Sequence, residues 1–120
     1  MLRRALKRLF YRARWSWAGW LEAWRNEASL RQWLWANAIS AAAALLLPLG
    51  TGERALILAL GVLVLAAELM NTAIERAVDL ISKDENELAR QAKDLASATV
   101  AVTAIAAGVA WIVVLAGLLA

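Results

Sequence analysis

Three stretches without a charged residue divide the chain: Trp33–Leu49, Ala55–Ala67 and Leu95–Ala120. The last is twenty-six residues long, ample for a transmembrane helix. The first has seventeen residues, broken only by the polar Asn37 and Ser40, and sits at the short end for a span. The middle run does not stop at Ala67. Apolar positions continue at helical spacing through "AELMNTAIERAVDLI", Ala67 to Ile81, so one helix is predicted over 55–81. Pro48 and "GTGER", Gly50 to Arg54, read as a tight turn, and Ser82–Asp94 as a loop or the solvated end of a helix. Residues 1–32 carry an amphipathic helical pattern, with Trp17, Trp20 and Trp24 three and four apart on one face. The expectation is a single-domain all-α membrane protein: a surface helix over 1–32 and transmembrane helices over 33–49, 55–81 and 95–120.

Composition narrows the chemistry. Apolar residues make up 62% of the chain and the mean hydropathy is +0.58. There is no Cys and no His. Disulfides, thiolate metal sites and histidine bases are thereby excluded, and proton transfer must use carboxylates, lysine or water. Oxygen-only ligands favour hard ions, Mg²⁺ above all. The net charge of +3 conceals a basic arm: Arg3, Arg4, Lys7, Arg8, Arg12 and Arg14 all precede the first acid, Glu22. Trp15, Trp17, Trp20 and Trp24 follow at once, which fits a helix lying on anionic lipid and not nucleic acid. No apolar h-region of a cleavable signal follows the charges. The positive-inside rule puts the N-terminus and Ser82–Asp94 in the cytoplasm.

The polar residues of the middle helix are the strongest functional signal. At 100° per residue Glu68, Asn71, Glu75 and Asp79 fall within an arc of about 80°. If about twenty residues from Ala55 cross the hydrocarbon, Glu68 lies roughly 9 Å inside the cytoplasmic boundary. A carboxylate there costs a few kcal/mol, about 2.5–3.5, if it faces lipid, so the stripe must face protein or a wet cavity. Desolvation makes a carboxylate a better proton acceptor, which suits a general base. Glu27 precedes the first span, and Lys93 and Asp94 precede the third, so all lie near the same membrane level. Two carboxylates, a lysine and an amide beside a deeper acid can hold Mg²⁺ and a phosphate chain. No GxxxxGK[ST] loop is present.

"EAWRNEASLRQ", "AELMNTAIERAVDLI" and "ARQAKDLASA" together resemble the small prokaryotic-type diacylglycerol kinases, integral-membrane enzymes unrelated to soluble lipid kinases. The likeness covers most of the chain, and its E-x-x-N-[ST]-A-I-E-x-x-[VI]-D element is the most specific part. The resemblance implies a homotrimer in the bacterial inner membrane that transfers the ATP γ-phosphoryl, with Mg²⁺, to the primary hydroxyl of diacylglycerol, giving phosphatidic acid. On that pattern Glu68 is the general base, with Asn71, Lys93 and Asp94 completing the catalytic set. Glu27 and Glu75 match the metal carboxylates. The nucleotide positions are Arg8, Trp15, Glu27, Glu75, Asp84, Glu85, Asn86, Lys93 and Asp94. The lipid positions are Arg8, Trp17, Trp24, Arg31, Gln32, Glu68, Ser97 and Trp111.

The chain departs from the family pattern at Trp33, where an acid commonly follows R-Q, at Trp15, in place of a tyrosine, and at Asn86, in place of a histidine. The same fold also phosphorylates undecaprenol, and "NTAIERAVDLI" is close to those enzymes too, while "SWAGWLEAWRNEASLRQ" leans to the diacylglycerol branch. Two readings from other classes remain. A small proton or cation transporter accounts for Glu68 but leaves Glu27, Lys93 and Asp94 idle, and a structural membrane adaptor needs no Glu68 at all.

Overall fold

A computed structural model describes residues 1–120 as four helices without strands: α1 Leu2–Asn26, α2 Ala28–Leu46, α3 Thr51–Ile81 and α4 Glu87–Leu119. The all-α class is as expected, but three helix limits differ from the sequence reading. The predicted surface helix over 1–32 ends early. Glu27 adopts an extended conformation, φ −112° and ψ 106°, and the chain restarts as α2 one residue later. No proline or glycine stands there, so the break comes from tertiary contacts. Arg31 reaches back to cap the carbonyl of Trp24 at 2.7 Å, and Arg76 of α3 grips Glu22 and Glu27 on either side of it.

The turn between α2 and α3 is likewise shorter than predicted. Leu47 leaves the helical region because Pro48 follows it, and α3 is already under way at Thr51. Glu53 folds back to accept the Gly50 N–H at 2.9 Å, half of a capping box. Arg54 donates to the carbonyls of Ala44 and Leu47, the orphan acceptors at the end of α2. Third, α4 begins at Glu87, well before the uncharged run at Leu95. Asn86 is its N-cap, its side-chain oxygen accepting the Ala89 N–H at 2.8 Å, and Glu87 sits in the first turn, where an acid complements the helix dipole.

Pairings between helices define the register. Ser29 meets Glu68, Asn37 meets Gly61 and Ala44 meets Arg54, so α2 runs antiparallel to α3. Asp79 meets Lys93 at one end of α3, while Ile57 packs with Ala110 and Val114 at the other, so α4 is antiparallel to α3 as well. α3 is therefore the central helix. At 33 residues α4 is about 50 Å long, which accounts for the 53 Å long dimension. α1 packs lightly on α2 and α3, not on α4, and projects sideways to give the 47 Å second dimension.

Only 14 of 120 residues are buried, so most apolar side chains of α3 and α4 point outwards, among them Leu63, Val102, Ile105, Ile112 and Val113. In water that surface would not persist; a bilayer or further copies of the chain must cover it. On length and composition two helices can cross a bilayer, α3 and α4.

Candidate active site

Glu68 is 3% exposed and lies on the α3 face that packs against α2. Its Oε1 accepts a hydrogen bond from the hydroxyl of Ser29. It has no basic partner. One turn towards the C-terminal end of α3, Asn71 donates from Nδ2 to Glu75 Oε1 at 3.2 Å, while its own Oδ1 is buried without a partner. An orphaned buried acceptor is uncommon in native proteins. The stripe read from the sequence therefore turns inward at Glu68 and Asn71, and opens to water at Asp79.

At that wet end the acids are paired. Lys93 Nζ lies 2.6 Å from Asp79 Oδ1, which links the start of α4 to the end of α3. Arg90 bridges Asp94 at 2.7 Å and also holds Glu87. These α4 residues precede the apolar run at Leu95. Asp79's hydrogen bond raises the Lys93 pKa, so the ammonium stays charged, and the hydrogen bond from Arg90, then that from Gln91, keeps the Glu87 carboxyl below its ordinary range. Around them a cleft of about 470 Å³ is bordered by Asp79, Lys83, Asp84, Glu85, Asn86, Arg90 and Lys93. Four of the expected nucleotide residues, Asp84, Glu85, Asn86 and Lys93, are thus brought together, with Asp94 attached through Arg90. Arg8 and Trp15 are not: both are exposed on α1, which does not touch α4.

Glu27 and Glu75 do not border that cleft. Glu27 stands at the α1–α2 break with Arg76 Nη2 at 3.0 Å from its Oε1, and Arg76 Nη1 reaches Glu22 at 3.2 Å. The sequence reading missed Arg76 and Glu22. The available signal was a lone cation directly after Glu75, on a helix otherwise free of positive charge between Ala55 and Ile81.

No group of three acids converges to hold an ion by itself. Magnesium bound with a nucleotide needs only one or two carboxylates, with phosphate and water completing its shell. Glu27, Glu75 and the unpartnered oxygen of Asn71 are hard donors of the right kind for that ion.

The expected lipid positions spread along the molecule. Trp17, Trp24, Gln32 and Ser97 are exposed, and Arg31 is engaged in capping α1. Trp111 donates from Nε1 to Ser40 at 2.8 Å and borders a largely apolar cavity of about 140 Å³ between α2, α3 and α4. Gly61 borders the same cavity, so this space lies two helical turns deeper than Glu68, about 10 Å.

Most of the chain is similar to known proteins. The profile of the family described as prokaryotic diacylglycerol kinase matches residues 14–115. The diacylglycerol kinase of Pseudomonas aeruginosa is 40% identical over 112 residues, 93% of this chain and 91% of the relative. That of Escherichia coli K12 is 36% identical over 108 residues, 90% and 88% of the two chains. That of Haemophilus influenzae is 31% identical over 106 residues, 88% and 90%. With a buried carboxylate and an amide on α3, a lysine-bearing cleft where α3 meets the start of α4, and likeness over nearly the whole length, this chain belongs to the prokaryotic diacylglycerol kinase family.

Proposed function

We propose that the protein is an ATP-dependent diacylglycerol kinase that moves the γ-phosphoryl group of ATP to the primary hydroxyl of diacylglycerol, yielding phosphatidic acid. The observation that carries this reading is Glu68: a carboxylate 3% exposed, in an apolar stretch of helix, hydrogen-bonded by a hydroxyl and free of any cation. A carboxylate kept for structure at that depth would need a basic partner, because an unpaired buried charge is costly. One kept for chemistry needs a free oxygen. Ser29 engages Oε1, which leaves Oε2 for the substrate hydroxyl.

The residues divide the work by depth. Glu68 accepts the proton of the lipid hydroxyl as the hydroxyl oxygen bonds to the γ-phosphorus and the bond from that phosphorus to the departing ADP breaks. Asn71 Oδ1 takes a hydrogen bond from the glycerol end, and its amide steadies Glu75. Lys93, held charged by Asp79, neutralises phosphate, and the Asp84–Asn86 segment borders the base and ribose. Glu27 and Glu75 would hold Mg²⁺, and the chemistry that ion would supply is neutralisation of triphosphate charge. Phosphoryl transfer asks mainly for such positioning and charge neutralisation. Arg8 and Trp15 reach the nucleotide only if a second copy brings its α1 to this cleft, which accords with the homotrimer expected for the family. α2, at 19 residues about 28 Å long, completes a set of three spans, with the N-terminus and the cleft on the cytoplasmic side of the inner membrane.

The test is ATP consumption by the purified protein in lipid discs with Mg²⁺ and either diacylglycerol or undecaprenol. Turnover should follow diacylglycerol and disappear in Glu68→Gln. A preference for undecaprenol would move the substrate to the polyprenol branch, and ion flux without ATP consumption would overturn the kinase reading.

A further inference from the structure

Arg76 has no place in the mechanism above. Its guanidinium forks between two carboxylates, Glu22 on α1 at 3.2 Å and Glu27 at the α1–α2 break at 3.0 Å. It follows Glu75 directly in α3. The assignment of Glu27 as a metal carboxylate therefore sets a permanent cation on a carboxylate that a divalent ion would also need. Arg76 Nη2 sits on Oε1 of Glu27, so a divalent ion drawing on that carboxylate competes with the guanidinium for its charge.

The geometry decides which of them gives way. The Arg76 side chain is 46% exposed, and its partners Glu22 and Glu27 are 54% and 26% exposed. Ion pairs as open to solvent as these contribute little, so either can be exchanged at little cost. Glu22 and Glu27 are held by different nitrogens, Nη1 and Nη2. Losing Glu27 therefore does not set the guanidinium adrift, since Glu22 keeps it beside the site. Arginine's planar fork also matches phosphate as well as carboxylate.

We propose that Arg76 is a resident cation that holds Glu27 while the metal nucleotide is absent and competes with the divalent ion for it, with Glu22 as the anchor that lets it step aside. This rests on the kinase reading, with Glu27 as a metal carboxylate. At rest Arg76 keeps neighbouring acids from repelling one another and fixes the break that orients α1. The competition sets the metal requirement higher than two free carboxylates would.

Mn²⁺ binding followed by electron paramagnetic resonance tests this without turnover, on the full-length protein in lipid discs with a non-hydrolysable ATP analogue. Arg76→Gln removes the competitor and should tighten Mn²⁺ about two- to fivefold, the span an exposed ion pair represents. Glu22→Gln removes the alternative partner, leaves Arg76 committed to Glu27, and should weaken Mn²⁺ by a similar factor. Glu27→Gln should erase both differences. A mere strut between helices predicts otherwise: Arg76→Gln and Glu22→Gln would both lower thermal stability and leave Mn²⁺ affinity unchanged. Unchanged or weaker binding in Arg76→Gln overturns the proposal, as does tighter binding in Glu22→Gln. Diacylglycerol-dependent ATP consumption by the wild-type protein reports separately on the kinase reading, so failure of one is not mistaken for failure of the other.

Discussion

Replacing Gly61 by alanine should separate the helices that place Glu68, and the effect can be worked from three atoms. A Cβ built at Gly61 collides with Oδ1 of Asn37, and its next neighbours are Cγ of the same side chain at 3.3 Å and Nδ2 at 3.8 Å. All three belong to Asn37. That side chain is not free to swing away, because Nδ2 donates to the Gly61 carbonyl at 2.9 Å and to the Trp33 carbonyl at 3.3 Å. Overpacking of this sort costs about 1–3 kcal/mol. Asn37→Ala alone removes an interhelical hydrogen bond inside the membrane region, worth about 0.6–1.7 kcal/mol. In the double variant the clash has no partner left, so its destabilisation should fall short of the sum of the single changes by at least about 1 kcal/mol. Thermal unfolding of the four proteins in one detergent, followed by tryptophan fluorescence, measures the coupling. Activity should track it, since Asn37–Gly61 sits two turns from Ser29–Glu68 in the same register. Additive losses would show that Gly61 is present for some reason other than the approach of Asn37, and that the α2–α3 register has been misread.

Other outcomes follow from the site. Glu68→Gln should lower kcat about 10²- to 10⁴-fold, the range of general-base contributions, with little change in the ATP KM; retained turnover would remove Glu68 as base. Glu27→Gln and Glu75→Gln should each raise the Mg²⁺ concentration for half-maximal rate, and an unchanged titration would count against both as ligands. Lys93→Met should raise the ATP KM about tenfold, as expected for loss of one charge-assisted contact. The pH dependence has a definite sign. Asp79 raises the Lys93 pKa, so the charged form persists to higher pH in the wild type, and Asp79→Asn should shift the alkaline rise in ATP KM downward. A profile that does not move would separate Lys93 from nucleotide binding.

What the sequence revealed, and what it hid, follows from which interactions are local. Apolar periodicity and the absence of charge are local, so α3, α4 and the arc of Glu68, Asn71, Glu75 and Asp79 were legible. The Asn86 cap was also legible in principle, since an Asn followed by Glu is a common helix start. It was obscured by the high polarity of Ser82–Asp94, which reads as loop until the cap is seen to launch α4. The break at Glu27 was not legible. Nothing in "WRNEASLR" stops a helix, and the forces that do so come from Arg31, four residues on, and from Arg76 on another helix. The nucleotide residues of α1 fared differently again. Arg8 and Trp15 match their motif positions, yet α1 makes no contact with α4, and the spacing of residues within one helix carries no information on which other helices it meets.

The partners of α3 change with depth, and the order argues for the function of its deepest acid. Near the C-terminal end of α3, carboxylates meet full cations: Asp79 meets Lys93, while Arg76 holds Glu22 and Glu27. One turn inward from Asp79, Glu75 meets only an amide, Asn71. Two turns further, Glu68 meets only a hydroxyl, Ser29. Electrostatics alone would favour the reverse, since an unpaired charge costs most where water is scarcest. Arg76 is eight residues from Glu68 on the same helix, and arginine at an inward position would have cancelled that cost. A scaffold would place its cation there. A general base must not have one, because a carboxylate neutralised by a guanidinium loses the driving force to take a proton from a lipid alcohol.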